Sequence, residues 1–160
     1  MLNGNVFLAR PQIVIFPLFF TLAALHYFFG YYFWGLENFS VGNDDSFITY
    51  RYAANLVDHG VISFNPDDSP PVEGYSNPLY VLISAAAYWV WGMGGVYPVM
   101  AVLGTLCIAL AFWVIYAHLR GLSENAVAGL VLLTLVCYPG FWINATSGLE
   151  TARVFLFQVL

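Results

Sequence analysis

The segment from Pro11 to Leu36 carries no formal charge, and this run constrains the fold more than any other feature. A helix needs about 20 predominantly apolar residues to cross a bilayer, so the segment can span it with some tilt. It is longer than the roughly 7–15-residue apolar core of a secretory signal, and no small-x-small cleavage site follows it. We therefore predict a transmembrane helix over about 12–34, with an aromatic belt from Tyr31 to Trp34.

The composition of the whole chain is that of a membrane protein. Of its 160 residues, 61% are hydrophobic and 8% are charged, whereas a soluble domain has about 25% charged residues. The net charge of -5 argues against a nucleic-acid partner, because binding nucleic acid needs a basic footprint. Cys107 and Cys137 lie in apolar runs with no second Cys or His at ligand spacing, so they predict neither a disulfide nor a metal site.

Three more segments shape the predicted topology. Two apolar runs, 96–117 and 125–143, are long enough to span, and a further run begins at 152 but stops at Leu160. We interpret the chain as the N-terminal part of a longer transmembrane domain, inactive as a fragment. The apolar segment 79–91 is short, and runs of that length are more often interfacial, re-entrant or buried than spanning.

Positive charge decides between the two topologies that these spans allow. Arg10 precedes the first span, and Arg120 lies between the spans over 96–117 and 125–143. Both arginines lie in the cytoplasm, as the positive-inside bias favours, only if 79–91 does not cross. The fold prediction is thus an all-α, multi-pass helical bundle of the plasma (inner) membrane with a cytoplasmic N-terminus. Its first external loop, 37–95, is long and carries amphipathic juxtamembrane helices, with a membrane-dipping helix over 79–91.

Most of the acidic residues lie in this loop, between Glu37 and Glu73. Helix signals begin at the adjacent Asp44 and Asp45, and Gly60 is typical of a helix end. Apolar residues at helical spacing between them predict an amphipathic helix on the membrane surface. The two carboxylates are either helix caps or parts of a functional site.

A second acidic position follows the third predicted span. The same topology makes 144–151 external, so Glu150 faces the compartment of Asp44 and Asp45. Ionisable groups at the end of a span are costly and tend to be functional. Arg153, one helical turn further on, is a candidate ion-pair partner for Glu150.

The segment from Ser63 to Pro78 is rich in turn-forming residues. Asp67 and Asp68 are predicted to be solvated turn residues. Glu73 stands where the chain re-enters the apolar layer, so it is a site candidate, although a loop hydrogen bond would also explain it.

Four motifs occur in order: DDSFITYRYAANL, FNP, VEGYSNPLY and SGLET. Together they resemble the GT-C superfamily of multi-pass glycosyltransferases over about 43–155. The closest resemblance is to bacterial enzymes that use polyprenyl-phosphate sugars, such as the terminal arabinofuranosyltransferases. The resemblance implies an inverting transfer from a lipid-linked sugar to a glycan, lipid or protein acceptor of the cell envelope, on the outer face of the membrane.

The resemblance also implies roles for particular residues. Asp44 matches the candidate catalytic base, Asp45 its acidic neighbour, Glu150 the second-loop carboxylate and Glu73 the acid before the re-entering segment. Some relatives carry a lysine near Glu73, and this chain has none. The candidates for binding substrate, including the donor phosphate, are Arg51, Glu73, Tyr75, His59 and Arg153.

Two further questions stay open at the level of sequence. A divalent cation (Mg²⁺, Mn²⁺ or Ca²⁺) is a candidate cofactor, with Asp44 and Glu150 as candidate ligands. Asp44 and Arg51 share one face of the predicted helix about 10 Å apart, which suits a sugar phosphate between them. Alternatively, Arg51 pairs with Asn55 or a lipid headgroup.

The alternative function is a non-catalytic transporter or assembly subunit whose acidic loop binds a cation or a partner.

Overall fold

The computed structural model describes residues 10–39, 44–67, 69–70, 72–122 and 125–160, with side chains except at 30–39, 44 and 122. The regular structure in these ranges is helical, without strands, which confirms the all-α prediction there. The helices are α1 (Gln12–Phe39), α2 (Asp44–His59), α3 (Pro78–Leu122), α4 (Asn125–Cys137), α5 (Pro139–Thr146) and α6 (Thr151–Val159).

Two helices in the described ranges are long and apolar enough to cross a membrane. The qualifying segments are Gln12–Phe29 in α1 and Pro78–Gly121 in α3. The bent pair α4 and α5 adds a third if the two helices form one span. The chain is therefore a membrane protein by the length and composition of its helices, and the multi-pass bundle stays a prediction.

The apolar run predicted as a third span, 125–143, is not one continuous helix. α4 ends at Cys137, α5 begins at Pro139, and the two helices are bent by 59°. Proline has no backbone N–H, and its ring clashes with the preceding turn of a helix, but it is tolerated at a helix start. The prediction counted the apolar residues and gave too little weight to this proline.

α3 contains both the predicted dipping helix, 79–91, and the predicted span, 96–117. Gly92 interrupts its helical backbone with φ 64° and ψ -174°, a left-handed φ that glycine adopts without steric cost. Arg153 lies over the Tyr80 ring at 4.8 Å and donates to the Met100 carbonyl at 2.8 Å. In a straight helix Tyr80 and Met100 would be about 30 Å apart, so α3 folds back at Gly92.

Contacts between α1 and the second part of α3 distinguish two ends of the molecule. At one end, the Tyr116 hydroxyl donates to the Gln12 side chain at 2.6 Å, which joins the end of α3 to the start of α1. Arg10 and Arg120 both belong to this end. At the other end, the Tyr97 hydroxyl donates to the Thr146 carbonyl at 2.9 Å. Between the ends, an apolar core packs α1, α3 and α4 together, with α5 and α6 against it.

Candidate functional site

A polar cavity of about 350 Å³ lies at the end of the molecule away from Arg10 and Arg120. Three segments that are distant in sequence supply its walls: the first turns of α2, the loop before α3 and the start of α6. The lining residues are Asp45, Ile48, Thr49, Gly74, Tyr75, Ser76, Leu149, Glu150 and Thr151.

The cavity brings together the acidic residues of two predicted external loops. Asp45 reaches it from α2, and Glu150 reaches it from the residue just before α6. The Glu150 carboxylate accepts a hydrogen bond from the Ser76 hydroxyl at 2.9 Å. The side chain of Asp44 lies outside the described residues, although its backbone begins α2. The sequence predicted that Asp45 and Glu150 face the same compartment, and in the structure both line this cavity.

The backbone places Glu150 at the N-terminal end of α6. Its carbonyl accepts hydrogen bonds from the amides of Arg153 at 2.9 Å and Val154 at 3.0 Å, which begin the helix. Glu150 is therefore the N-cap residue of α6, and it lies at the cavity wall.

Side-chain hydrogen bonds to its backbone carbonyls hold the segment before α6 in place. Three of these carbonyls accept hydrogen bonds from side chains of three different helices: Tyr97 to Thr146 at 2.9 Å, Tyr50 to Gly148 at 2.9 Å and Arg153 to Leu149 at 2.7 Å. Burial raises the pKa of the Tyr50 phenol far above its usual range, with the neighbouring Tyr80 adding to the effect. Tyr50 therefore stays protonated and able to donate.

Arg153 has a different role from those predicted for it. Its guanidinium donates to the carbonyls of Leu149 and Met100 and lies over the Tyr80 ring. The Glu150 carboxylate is held by Ser76 instead, so the predicted ion pair with Arg153 is replaced by two backbone contacts. Arg153 is also absent from the described residues that line the cavity.

Arg51 is likewise turned away from the cavity, toward the following loop. Its Nε donates to the Phe64 carbonyl at 2.7 Å, and Nη2 donates to the Asn65 side chain at 3.1 Å. The guanidinium also lies over the Phe64 ring at 4.5 Å. Asn55 is not the partner of Arg51, since its amide donates to the Ser63 and Phe64 carbonyls. The phosphate-binding role predicted for Arg51 finds no support in this geometry.

Arg51→Gln is expected to loosen the loop that follows α2 and to leave the KM for a lipid-linked donor unchanged. Each hydrogen bond contributes about 0.5–1.5 kcal/mol net, so hydrogen exchange over 61–67 should rise roughly two- to tenfold. Arg120→Gln, at the other end of the molecule, is the matched control. A raised donor KM with unchanged exchange would instead assign Arg51 to the site.

Of the predicted substrate-binding residues, Tyr75 is the one that lines the cavity. Tyr75 packs edge-on against Tyr52, with ring centroids 5.1 Å apart. His59 and Glu73 are exposed and do not belong to the lining. His59 lies at the far end of α2, about 21 Å along the helix axis from Asp45.

Sequence reasoning missed the hydroxyl groups of the cavity, Thr49, Ser76 and Thr151. Each of them lies within one of the four motifs: Thr49 in DDSFITYRYAANL, Ser76 in VEGYSNPLY and Thr151 in SGLET. Each therefore had a sequence signal, but their placement around one cavity depends on how α2, the loop before α3 and α6 pack.

The cavity presents oxygen donors, which are the ligand type of a hard divalent cation, without a described set of side chains placed to hold one. Carboxylate and hydroxyl oxygens, of the kind that Asp45, Glu150 and Ser76 present, are the ligands that Mg²⁺, Mn²⁺ and Ca²⁺ prefer. Among the described residues, no group of three or more His, Cys, Asp or Glu side chains is placed to hold a metal ion. The predicted ligand pair of Asp44 and Glu150 falls partly outside those residues, so it stays a prediction.

Comparison of the chain with protein-family models, with curated proteins and with solved structures finds no match. The resemblance to GT-C glycosyltransferases therefore rests on the four motifs of the sequence.

Proposed function

We propose that this chain forms the catalytic end of an inverting membrane glycosyltransferase that moves a sugar from a polyprenyl-phosphate donor to a cell-envelope acceptor. The observation that supports this proposal most is the cavity that both Asp45 and Glu150 line. Two carboxylates beside a substrate-sized space supply the base that glycosyl transfer needs. The motifs that carry the GT-C resemblance contain both residues.

The chemistry assigned to the cavity is a single displacement. The acceptor hydroxyl attacks the anomeric carbon, the bond from that carbon to the phosphate oxygen breaks, and the phosphate leaves with the bonding electron pair. A carboxylate of the cavity takes the proton of the acceptor hydroxyl. Asp45 is exposed and Glu150 is partly buried, so both can meet a substrate. The resemblance assigns the base to Asp44, next to Asp45.

The leaving phosphate needs positive charge, and the described lining residues include no basic side chain. Arg51 and Arg153 direct their donors to backbone and loop atoms. A divalent cation bound by the cavity oxygens would neutralise the phosphate as it leaves. We therefore include Mg²⁺, Mn²⁺ or Ca²⁺ in the proposal as the cofactor.

The apolar part of the molecule offers a place for the lipid of the donor. An apolar cleft of about 430 Å³ lies between α1 and α3 and reaches Thr146, close in sequence to Glu150. Its walls include Phe20, Ala24, Pro98, Val102 and Leu106. A prenyl chain in this cleft would bring its phosphate toward the cavity.

The proposed location of the reaction rests on the positions of the arginines and of the cavity in the molecule. Arg10 and Arg120 lie at one end, which the positive-inside bias assigns to the cytoplasm. The cavity lies at the other end, so we propose that transfer occurs on the outer face of the plasma membrane. There the membrane-borne donor meets an extracytoplasmic acceptor.

The test is sugar transfer by the full-length protein, reconstituted in nanodiscs with polyprenyl-phosphate sugars. We expect transfer with inversion at the anomeric carbon, a loss of activity on chelation of divalent cations, and no use of nucleotide sugars. A protein that transfers no sugar from any polyprenyl phosphate but binds cations or a protein partner would support the non-catalytic alternative.

A further inference from the structure

We propose that Tyr50 is a positioning residue whose hydroxyl, by holding the Gly148 carbonyl, sets the place of Glu150 relative to Asp45. The effect of this bond on sugar transfer rests on the proposed function, whereas its effect on the order of the segment before α6 does not. We call this hydrogen bond from Tyr50 to Gly148 the latch.

The latch joins the two segments that carry the carboxylates. Tyr50 follows Asp45 on α2 by five residues, and its side chain is fully buried, with 0% exposed. Its hydroxyl donates to the carbonyl of Gly148, 98 residues further along the chain, at 2.9 Å. Gly148 precedes Glu150 by two residues. This bond therefore ties the start of α2 to the segment that presents Glu150.

The backbone at Gly148 is shaped to admit the phenol. Gly148 has φ +74°, which other residues rarely adopt, and a Cβ added there would lie 2.4 Å from the Tyr50 hydroxyl oxygen. It would also lie 3.1 Å from the Tyr97 ring. Only glycine combines this φ with so close an approach, so the segment is built around Tyr50.

Tyr80 and Arg153 pack next to the latch and support it. The Tyr80 hydroxyl lies 3.5 Å from that of Tyr50, and the Tyr80 ring lies under the Arg153 guanidinium. Arg153 in turn holds the carbonyl of Leu149. Two consecutive carbonyls before Glu150 are thus fixed from one buried cluster, while Ser76 holds the carboxylate itself.

Tyr50→Phe removes the latch with little change in volume. One net hydrogen bond is worth about 1 kcal/mol, so amide hydrogen exchange over 147–154 should become roughly fivefold faster. Because a misplaced carboxylate weakens the transition state, kcat for sugar transfer should fall by about 10- to 100-fold while donor KM stays constant. Exchange is measured by mass spectrometry in nanodiscs, and transfer is measured with the lipid-linked donor.

Tyr52→Phe is the matched control on the same helix. Tyr52 is also buried, but its hydroxyl donates to the Val72 carbonyl at 2.9 Å. Its loss should speed exchange over 69–76 and leave 147–154 unchanged. The pair of variants separates loss of the latch from general loss of a buried phenol.

Unchanged exchange over 147–154 in Tyr50→Phe would overturn the proposal. Faster exchange there supports the latch even if the wild-type protein transfers no sugar, a result that would count against the proposed function alone. If Tyr50→Phe does not fold, Gly148→Ala takes its place, because the added Cβ would displace the Tyr50 hydroxyl. Faster exchange over both 46–54 and 147–154 would support the latch, and faster exchange over 147–154 alone would overturn it.

Discussion

Asp45→Asn is expected to lower the rate of sugar transfer by about 10²–10⁴-fold, the usual cost of losing a general base. Asparagine keeps the shape of the side chain but cannot take a proton from the acceptor. Asp45 and Glu150 both line the cavity, and no other carboxylate among the described residues shares that lining. The measurement is the initial rate of transfer from a polyprenyl-phosphate sugar, with membrane insertion checked for each variant.

Asp67→Asn is the control, because Asp67 is an exposed residue of the turn-rich segment and lies outside the cavity lining. It should retain the wild-type rate. Equal rates in the Asp45 and Asp67 variants would refute the assignment of the cavity as the active site. Asp44→Asn, measured in parallel, identifies the base of the acidic pair as the residue whose loss lowers kcat further.

Gly104→Ala is expected to lower the free energy of unfolding by about 1–3 kcal/mol, the usual cost of overpacking. A Cβ at Gly104 would lie 2.3 Å from the carbonyl oxygen of Ala145 and 3.6 Å from Cβ of Ala152. The first contact is with backbone, so the helices themselves must move apart. Small residues allow this close approach between membrane helices, here of α3 with α5 and α6.

Gly94→Ala is the matched control on the same helix, because a Cβ there meets nothing within 4 Å. Its stability should stay within about 1 kcal/mol of wild type, since alanine also has the higher helix propensity. Thermal unfolding in nanodiscs, followed by circular dichroism, compares the two variants. Coincident unfolding of both would show that α3 does not approach α5 as closely as the structure has it.

Local sequence signals were enough to predict much of the fold. The uncharged run at the start of the chain became α1, and the acidic helix begins at Asp44 and ends at His59, as predicted. Gly60 after it has φ 72°, the conformation of a glycine that ends a helix. The breaks at Gly92 and Pro139 also had local causes, namely the left-handed φ open to glycine and the missing N–H of proline. The prediction of continuous spans followed the length of the apolar runs instead.

The candidate site was predictable in part. The predicted topology placed Glu150 in the same compartment as the acidic helix, and the structure has Asp45 and Glu150 in one cavity with Tyr75. The predicted phosphate-binding roles of Arg51 and Arg153 gain no support from it. Both are cations near the acidic loops in sequence, yet loop and backbone oxygens take up their donors.

Local sequence determined where α1 and α2 form and why the backbone breaks at Gly92 and Pro139, because hydropathy, glycine and proline act over a few neighbouring residues. Only the tertiary structure decided which acceptor each buried polar side chain donates to. Arg153 reaches the Met100 carbonyl across 53 residues, and Tyr50 reaches the Gly148 carbonyl across 98. Backbone carbonyls are present at every residue, so sequence cannot distinguish the one that a buried donor will meet until the helices have packed.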